Sequence, residues 1–347
     1  MQFGLYAPIP MATVGSPQAV QADREAKLPL AEGRVDAQFE HGLELLRAAD
    51  QAGFELVLFA ERHLGSDISA WLLASAIGPQ LHHIRPLVAV HPGLWDPVLV
   101  AKLAASLDRM CPGRMAINIV NGWFDEEFRM FGGIVLQGPE RYRRTIEFIE
   151  ILRGLWANES FSYDGQFYKL DNGRLLLKPA SSSLPEIYSV SRSDRGRDFI
   201  AEHCDWWFVD MPKSTETIDD TIRGIEASIA DMDRRTRRLG RKVRYAFNPF
   251  IAIGKNQQEA LDATVQRIFA CEPNPDVRKI ESRMLPATKA GTIGSPDAVL
   301  RQLRRYESLG IELALCKMIP TVENIRHIAE EVVRPMHTRA ASLPKAS

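Results

Sequence analysis

RPLVAVHPGLWDPVLVAKLAASLDRMCPGRMAINIVNGW, residues 85–123, holds one complete unit of the fold. Residues 85–91 form an unbroken apolar run of strand length, and 114–120 form another. Runs without polar alternation predict strands covered on both faces, as in parallel sheets. Between them, 96–110 reads as a helix. Strand, helix and strand in so short a stretch make a parallel crossover.

The same alternation continues outward in both directions. Further strands are expected at 2–7, 55–60, 186–190, 206–210, 244–252 and 311–317. Helices are expected over 36–53, 70–80, 140–157, 194–204, 215–239, 256–271, 296–309 and 321–337. The helix at 36–53 gathers Phe39, Leu43, Leu45, Leu46 and Ala49 near one face and stops at Gly53. Residues 9–34 read as a long loop, 272–294 as an irregular stretch, and the chain past Met336 as frayed. Residues 161–177 read as a hairpin with a two-residue turn at Asp164-Gly165. About eight strand–helix repeats argue for an α/β fold. An eight-stranded parallel TIM-type barrel with a hairpin insertion and a lid-like insertion leads, ahead of a doubly wound open sheet. One domain is expected over 1–340, with insertions near 158–180 and 272–294 and a flexible tail at 341–347.

The chain has 347 residues, 45% apolar, enough for a large core. Its 43 basic and 44 acidic residues leave a net charge of -1, so no global field attracts nucleic acid or an anionic membrane. Cys111, Cys204, Cys271 and Cys316 are far apart and lack metal spacing, so they read as thiols of a reducing cytoplasm. No metal site and no membrane segment are expected.

A barrel keeps its chemistry on loops at the C-terminal ends of its strands. That rule singles out 61–69, 91–96, 120–139, 191–195, 210–214 and 318–320. Glu61-Arg62-His63 follows the second strand, where Arg62 or His63 could stabilise a developing anion and His63 could move protons. A salt-bridged surface loop is the plain alternative. His91 after the third strand would point into the mouth, unless a turn carbonyl satisfies it. Asn118, Asn121 and Trp123 surround the end of the fourth strand. Buried amides left unpaired cost roughly 1–3 kcal/mol each, so they need neighbouring backbone or a flat heterocycle with polar edges.

Arg141, Tyr142, Arg143 and Arg144 open the helix at 140–157. Such clusters are usually solvated faces, but Tyr142 sits where a phosphate held by the next loop could be reached. Ser191-Arg192-Ser193-Asp194-Arg195 links a strand to a helix. Hydroxyls, backbone N–H groups and Arg at a helix N-terminus make an anion site, although Ser193 could be an ordinary cap. No glycine fingerprint, Walker loop, G-x-S-x-G, zinc spacing or aromatic–basic stripe is present. A redox enzyme of this sequence would receive its reducing equivalents already loaded on another molecule.

The segments N-I-V-N-G-W-F at 118–124, E-R-Y-R-R at 140–144 and F-S-Y-D-G-Q-F-Y at 161–168 carry a resemblance. G-R-D at 196–198, A-E-H-C-D-W-W-F at 201–208 and I-G-S-P at 293–296 support it. Together they resemble the bacterial luciferase-like flavin monooxygenases, and within them the dimethylsulfone, alkanesulfonate and pyrimidine monooxygenase group. The resemblance implies a barrel using reduced FMN from a separate NAD(P)H-dependent flavin reductase, dioxygen and a small-molecule substrate. It also implies a homodimer or homotetramer. Asn121 matches the polar position at the flavin edge, Tyr142 the tyrosine at the FMN phosphate, and Ser193 the second serine of a Gly-Gly-Ser-Ser phosphate loop. That loop departs here, reading Val190-Ser191-Arg192-Ser193, without the glycines that let backbone approach phosphate.

The implied reaction is monooxygenation of a sulfone or sulfonate with C–S cleavage. Arg62, His63 or His91 would hold substrate oxygens, Trp123 and Phe124 would wall off water, and a lid bearing Arg278, Lys279 and Arg283 would close. A deazaflavin-dependent oxidoreductase, an FMN-dependent oxygenase cleaving C–N or C–halogen bonds, and a non-catalytic flavin-binding protein are the alternatives.

Overall fold

The computed structural model describes residues 1–6, 37–61, 63, 68–121, 124–180, 184–212, 215–271 and 277–340. Eight parallel strands close a barrel: β1 Gln2–Tyr6, β2 Leu56–Phe59, β3 Arg85–Val90, β4 Ala116–Ile119, β5 Glu186–Ser189, β6 Trp206–Phe208, β7 Arg244–Phe247 and β8 Ile311–Cys316. Each strand pairs with its neighbours in sequence, and β1 pairs with β8 to complete the ring. Closure leaves no edge strand, and the open-sheet reading falls away.

Alternate side chains point into the barrel or out to the helices. Leu56, Leu58, Leu87, Ala89, Tyr188, Trp206, Leu313 and Leu315 belong to the inner cluster. Val57, Phe59, Val88, Val90, Ile117, Ile119 and Phe247 alternate with them in the larger layer beneath the helices. Inside, Tyr188 stacks on Trp206 with centroids 5.0 Å apart, and the Arg244 guanidinium lies 3.9 Å from the Trp206 ring centroid. Arg244 also pairs with Glu312 at 2.8 Å and Glu186 at 3.4 Å, and Arg85 pairs with Glu186. Aromatic rings and paired charge thus fill the N-terminal end, and chemistry is left to the opposite mouth.

Four local expectations change. The run 244–252 is not one strand: β7 ends at Phe247, and Ala252–Ile253 pairs with Ile293–Gly294 in a separate two-stranded sheet. Pro249 lacks the N–H that a continuing ladder would need. Residues 277–290, read as irregular, form a helix that accommodates Pro286; of the expected lid at 272–294, residues 272–276 lie outside the described residues.

The hairpin strands are Phe161–Asp164 and Lys169–Gly173, joined by four residues instead of two. The cause is Glu147, whose carboxylate accepts the N–H groups of Gln166 at 2.8 Å, Phe167 at 2.8 Å and Tyr168 at 3.1 Å. The last helical run continues past Met336 to Ala340, after a π-helical stretch at Ala329–Val333. The expected loop at 9–34 and tail at 341–347 lie outside the described residues. Among those described, no helix is long and apolar enough to cross a membrane.

Candidate active site

Four residues separate β5 from helix Asp194–His203, which is capped by Ser193, whose hydroxyl accepts the Gly196 N–H at 3.1 Å. The cap reading is therefore correct. The Ser193 hydroxyl also lies 3.1 Å from the Tyr142 hydroxyl and 3.3 Å from that of Ser191. Tyr142 and Ser191 are 3.2 Å apart, closing a triangle of hydroxyls over the helix N-terminus. Gly196 makes room for it: a Cβ there would fall 1.9 Å from Ser191 Oγ and 2.6 Å from the Tyr142 oxygen. Rotatable O–H donors at the positive end of a helix fit a phosphate.

Arg192, expected at this anion site, and Arg141, beside Tyr142, each meet a carboxylate. Arg192 pairs with Asp210, beyond β6, at 2.8 Å, which offsets its charge. Arg141 faces Asp125 at 3.5 Å and donates to the Leu136 carbonyl at 3.0 Å.

Asn118 points inward from β4, and its Oδ1 is buried without a partner. Asn121 Oδ1 accepts from the Thr145 hydroxyl at 2.5 Å, while its Nδ2 is buried and unpartnered. One acceptor and one donor are thus left over at the end of β4, and the polar edge of a flat heterocycle would satisfy both. Trp123, the third member of that group, lies outside the described residues.

The two site histidines meet edge to face, ring centroids 5.7 Å apart. Trp95 and Phe131 flank His63 at 6.0 and 5.9 Å, and its Nε2 is buried without a hydrogen-bond partner. His91 Nδ1 stands 3.9 Å from Glu127 Oε2, both side chains buried. Burial pushes the His63 imidazole below its ordinary pKa, against the opposing carboxylate of Glu127. The unfolded chain therefore takes up this proton first as pH falls below about 6.5. Stability should decline from there until pH passes the lowered folded pKa. Melts at pH 7.5, 6.5 and 5.5 should show a shallower decline for His63→Asn than for the wild type; parallel declines would contradict this protonation state.

Glu61 has a local job: its carboxylate accepts the Ala70 N–H at 3.0 Å and the Ser69 hydroxyl at 3.4 Å, at the start of helix Ala70–Ile77. Arg62 lies outside the described residues.

Arg144, read as part of a solvated face, is buried, with 6% exposure. Its guanidinium donates to the Ile134 carbonyl at 2.9 Å and lies 5.4 Å from the Phe128 ring centroid, with no carboxylate partner among the described residues. Burial lowers its pKa, as for any cation without a counterion. Helical spacing was the available signal: Arg144, Phe148 and Leu152 lie four residues apart, and all three are buried. The guanidinium occupies the space beside Gly93, where a Cβ would fall 2.2 Å from Cζ. Gly93 also has φ +96°. Gly93→Ala should cost more than about 1 kcal/mol in urea unfolding; a neutral substitution would contradict this packing.

The family model described as luciferase-like monooxygenase matches residues 1–313. The chain belongs to the luciferase-like monooxygenase family. A related FMNH2-dependent dimethylsulfone monooxygenase from Pseudomonas fluorescens (strain Pf0-1) is 29% identical, over 90% of this chain and 92% of its own. The crystal structure of monooxygenase RslO1 from Streptomyces bottropensis aligns with a TM-score of 0.73 at 18% identity, covering 97% of this chain and all of that one. An F420-dependent secondary alcohol dehydrogenase aligns with a TM-score of 0.69 at 16% identity, covering 96% of this chain and 98% of that one. The luciferase-like barrel is thus shared by proteins named for different cofactors, and the site must decide between them.

Proposed function

We propose that this luciferase-like chain is the oxygenase half of a two-component system. It would use reduced FMN and dioxygen on a small organosulfur substrate, a sulfone or sulfonate, with C–S cleavage. The observation that supports this reading best is the Tyr142, Ser191 and Ser193 hydroxyl triangle over a helix N-terminus. Those three residues would hold the phosphate of FMN, and Asn118 and Asn121 would meet the ring edge. When bound, reduced FMN supplies the two electrons that let one oxygen atom enter the substrate while the other leaves as water.

The missing Gly-Gly pair changes how phosphate is met. Ser191 offers a hydroxyl where a glycine would offer backbone, while the Arg192–Asp210 pair ties the loop after β5 to the loop after β6. His63 and His91, with Arg62, would orient substrate oxygens. A neutral His63 imidazole can accept or hold a proton there. Trp123 and Phe124 would exclude water, and the segment 272–294, which includes the helix Val277–Ala290, would cover the mouth during turnover. A separate NAD(P)H-dependent reductase would supply the reduced flavin. A homodimer or homotetramer in the cytoplasm completes the reading.

The test is an oxygen-dependent turnover screen with reduced FMN against small sulfones, sulfonates and ring amides. Sulfur-containing cleavage product is expected. Turnover only with a reduced deazaflavin, and without oxygen, would overturn the reading. In the same assay, His63→Asn should lower turnover about 100-fold with reduced-FMN affinity unchanged; normal turnover would remove His63 from the site.

A further inference from the structure

The inward-facing column of β8 continues past the end of the strand. Leu313 and Leu315 fill the barrel interior, and period two places Lys317 next, at the mouth. An isolated bridge between Phe250 and Lys317 fixes the backbone there. Lys317 N–H donates to the Pro249 carbonyl at 2.7 Å, and the Ile251 N–H donates to the Lys317 carbonyl at 2.8 Å. The ammonium lies 5.0 Å from the centroid of the Tyr6 ring, at the end of β1.

No carboxylate among the described residues pairs with Lys317. Other mouth charges are already engaged: Arg192 with Asp210, and Glu61 with the Ala70 N–H. On adjacent β7 the same period takes Ala246 to Asn248, whose Oδ1 is buried without a partner. The barrel order sets β8 three strands from β5, across the mouth from the hydroxyl triangle. A cation anchored by its backbone, facing the mouth and without a carboxylate partner among the described residues, is placed to receive an anion.

We infer that Lys317 is a specificity-determining residue whose ammonium anchors a negatively charged oxygen group of the substrate, of sulfonate, sulfinate or carboxylate class. This rests on the flavin reading and deepens it, since a neutral sulfone carries no formal negative charge to pair with this ammonium. The Lys317 side chain is exposed at the mouth, while the protein crowded around its ammonium lowers its pKa, a shift that a bound anion would reverse.

The test is calorimetric and needs no turnover. Wild type, Lys317→Met and Lys317→Arg are saturated anaerobically with reduced FMN and titrated with methanesulfonate, acetate and dimethylsulfone. Methanesulfonate or acetate should bind the wild type at least tenfold more tightly than dimethylsulfone, and comparing the two anions identifies the preferred group. Lys317→Met should lose tenfold or more for the preferred anion, keep its dimethylsulfone affinity within twofold, and be rescued by Lys317→Arg. Equal loss for neutral and anionic probes, or no loss, overturns the inference while leaving the flavin reading intact. Weakened binding of reduced FMN to Lys317→Met places the ammonium on the flavin and also overturns it. Failure of the wild type to bind reduced FMN removes the flavin reading first, and this inference with it.

Discussion

Tyr142→Phe combined with Ser193→Ala should weaken binding of reduced FMN by about 100-fold or more. Both hydroxyls sit in one triangle above the N-terminus of helix Asp194–His203. A hydrogen bond to a charged group contributes about 1.5–3 kcal/mol, so losing two removes about 3–6 kcal/mol, or roughly 100- to 10,000-fold. Ser193 also caps the helix, and its replacement by Ala should cost about 1 kcal/mol of stability on its own. Riboflavin, which has no phosphate, separates these effects: its affinity should change little in the double variant. Anaerobic fluorescence titration measures both ligands. Unchanged FMN curves would refute the phosphate assignment, and equal losses for FMN and riboflavin would point to a collapsed loop instead.

Glu147→Ala should destabilise the fold severely. It removes the acceptor for the amides of Gln166, Phe167 and Tyr168, and Glu147 itself is 9% exposed. Each of these part-buried hydrogen bonds to a charged acceptor contributes about 1.5–3 kcal/mol, so a loss of about 3 kcal/mol or more is expected in urea unfolding. Glu147→Gln keeps one acceptor oxygen and should lose less. The effect should reach the site, because Glu147 and Tyr142 share helix Pro139–Ala157 and the loop carries Tyr168, whose ring packs 6.1 Å from that of Phe148. A Glu147→Ala protein within about 1 kcal/mol of wild type would show that this carboxylate does not shape the connection.

The barrel was legible because its strands are buried on both faces, and unbroken apolar runs such as Leu87–Val90 have few other uses. Strand ends were harder. The run from Arg244 to Ala252 is apolar nearly throughout, and only the partner strand shows where the ladder changes at Asn248-Pro249. Pro286 and a cluster of charge concealed the helix at Val277–Ala290. The Asp164-Gly165 signal marked a turn but not its length, which depends on Glu147, far off in sequence.

The same contrast holds at the site. Tyr142, Ser191 and Ser193 stood out because hydroxyls beside a helix start have a known use, and the fold brings them together. The pairing of Arg192 with Asp210 joins two loops and has no local sequence signal. Arg144 was hidden in a run of charges, although its helical spacing placed it on the buried face. Lys317 reads in sequence as no more than the end of a strand, although period two points it into the mouth.

A crystal structure of the chain with FMN would decide whether the hydroxyl triangle is the flavin phosphate site. Phosphate oxygens are expected within hydrogen-bonding distance of the Tyr142 and Ser193 hydroxyls, with the ring edge at Asn118 and Asn121. A flavin whose phosphate lies away from that triangle, or a barrel mouth that stays empty at saturating FMN, would contradict this assignment.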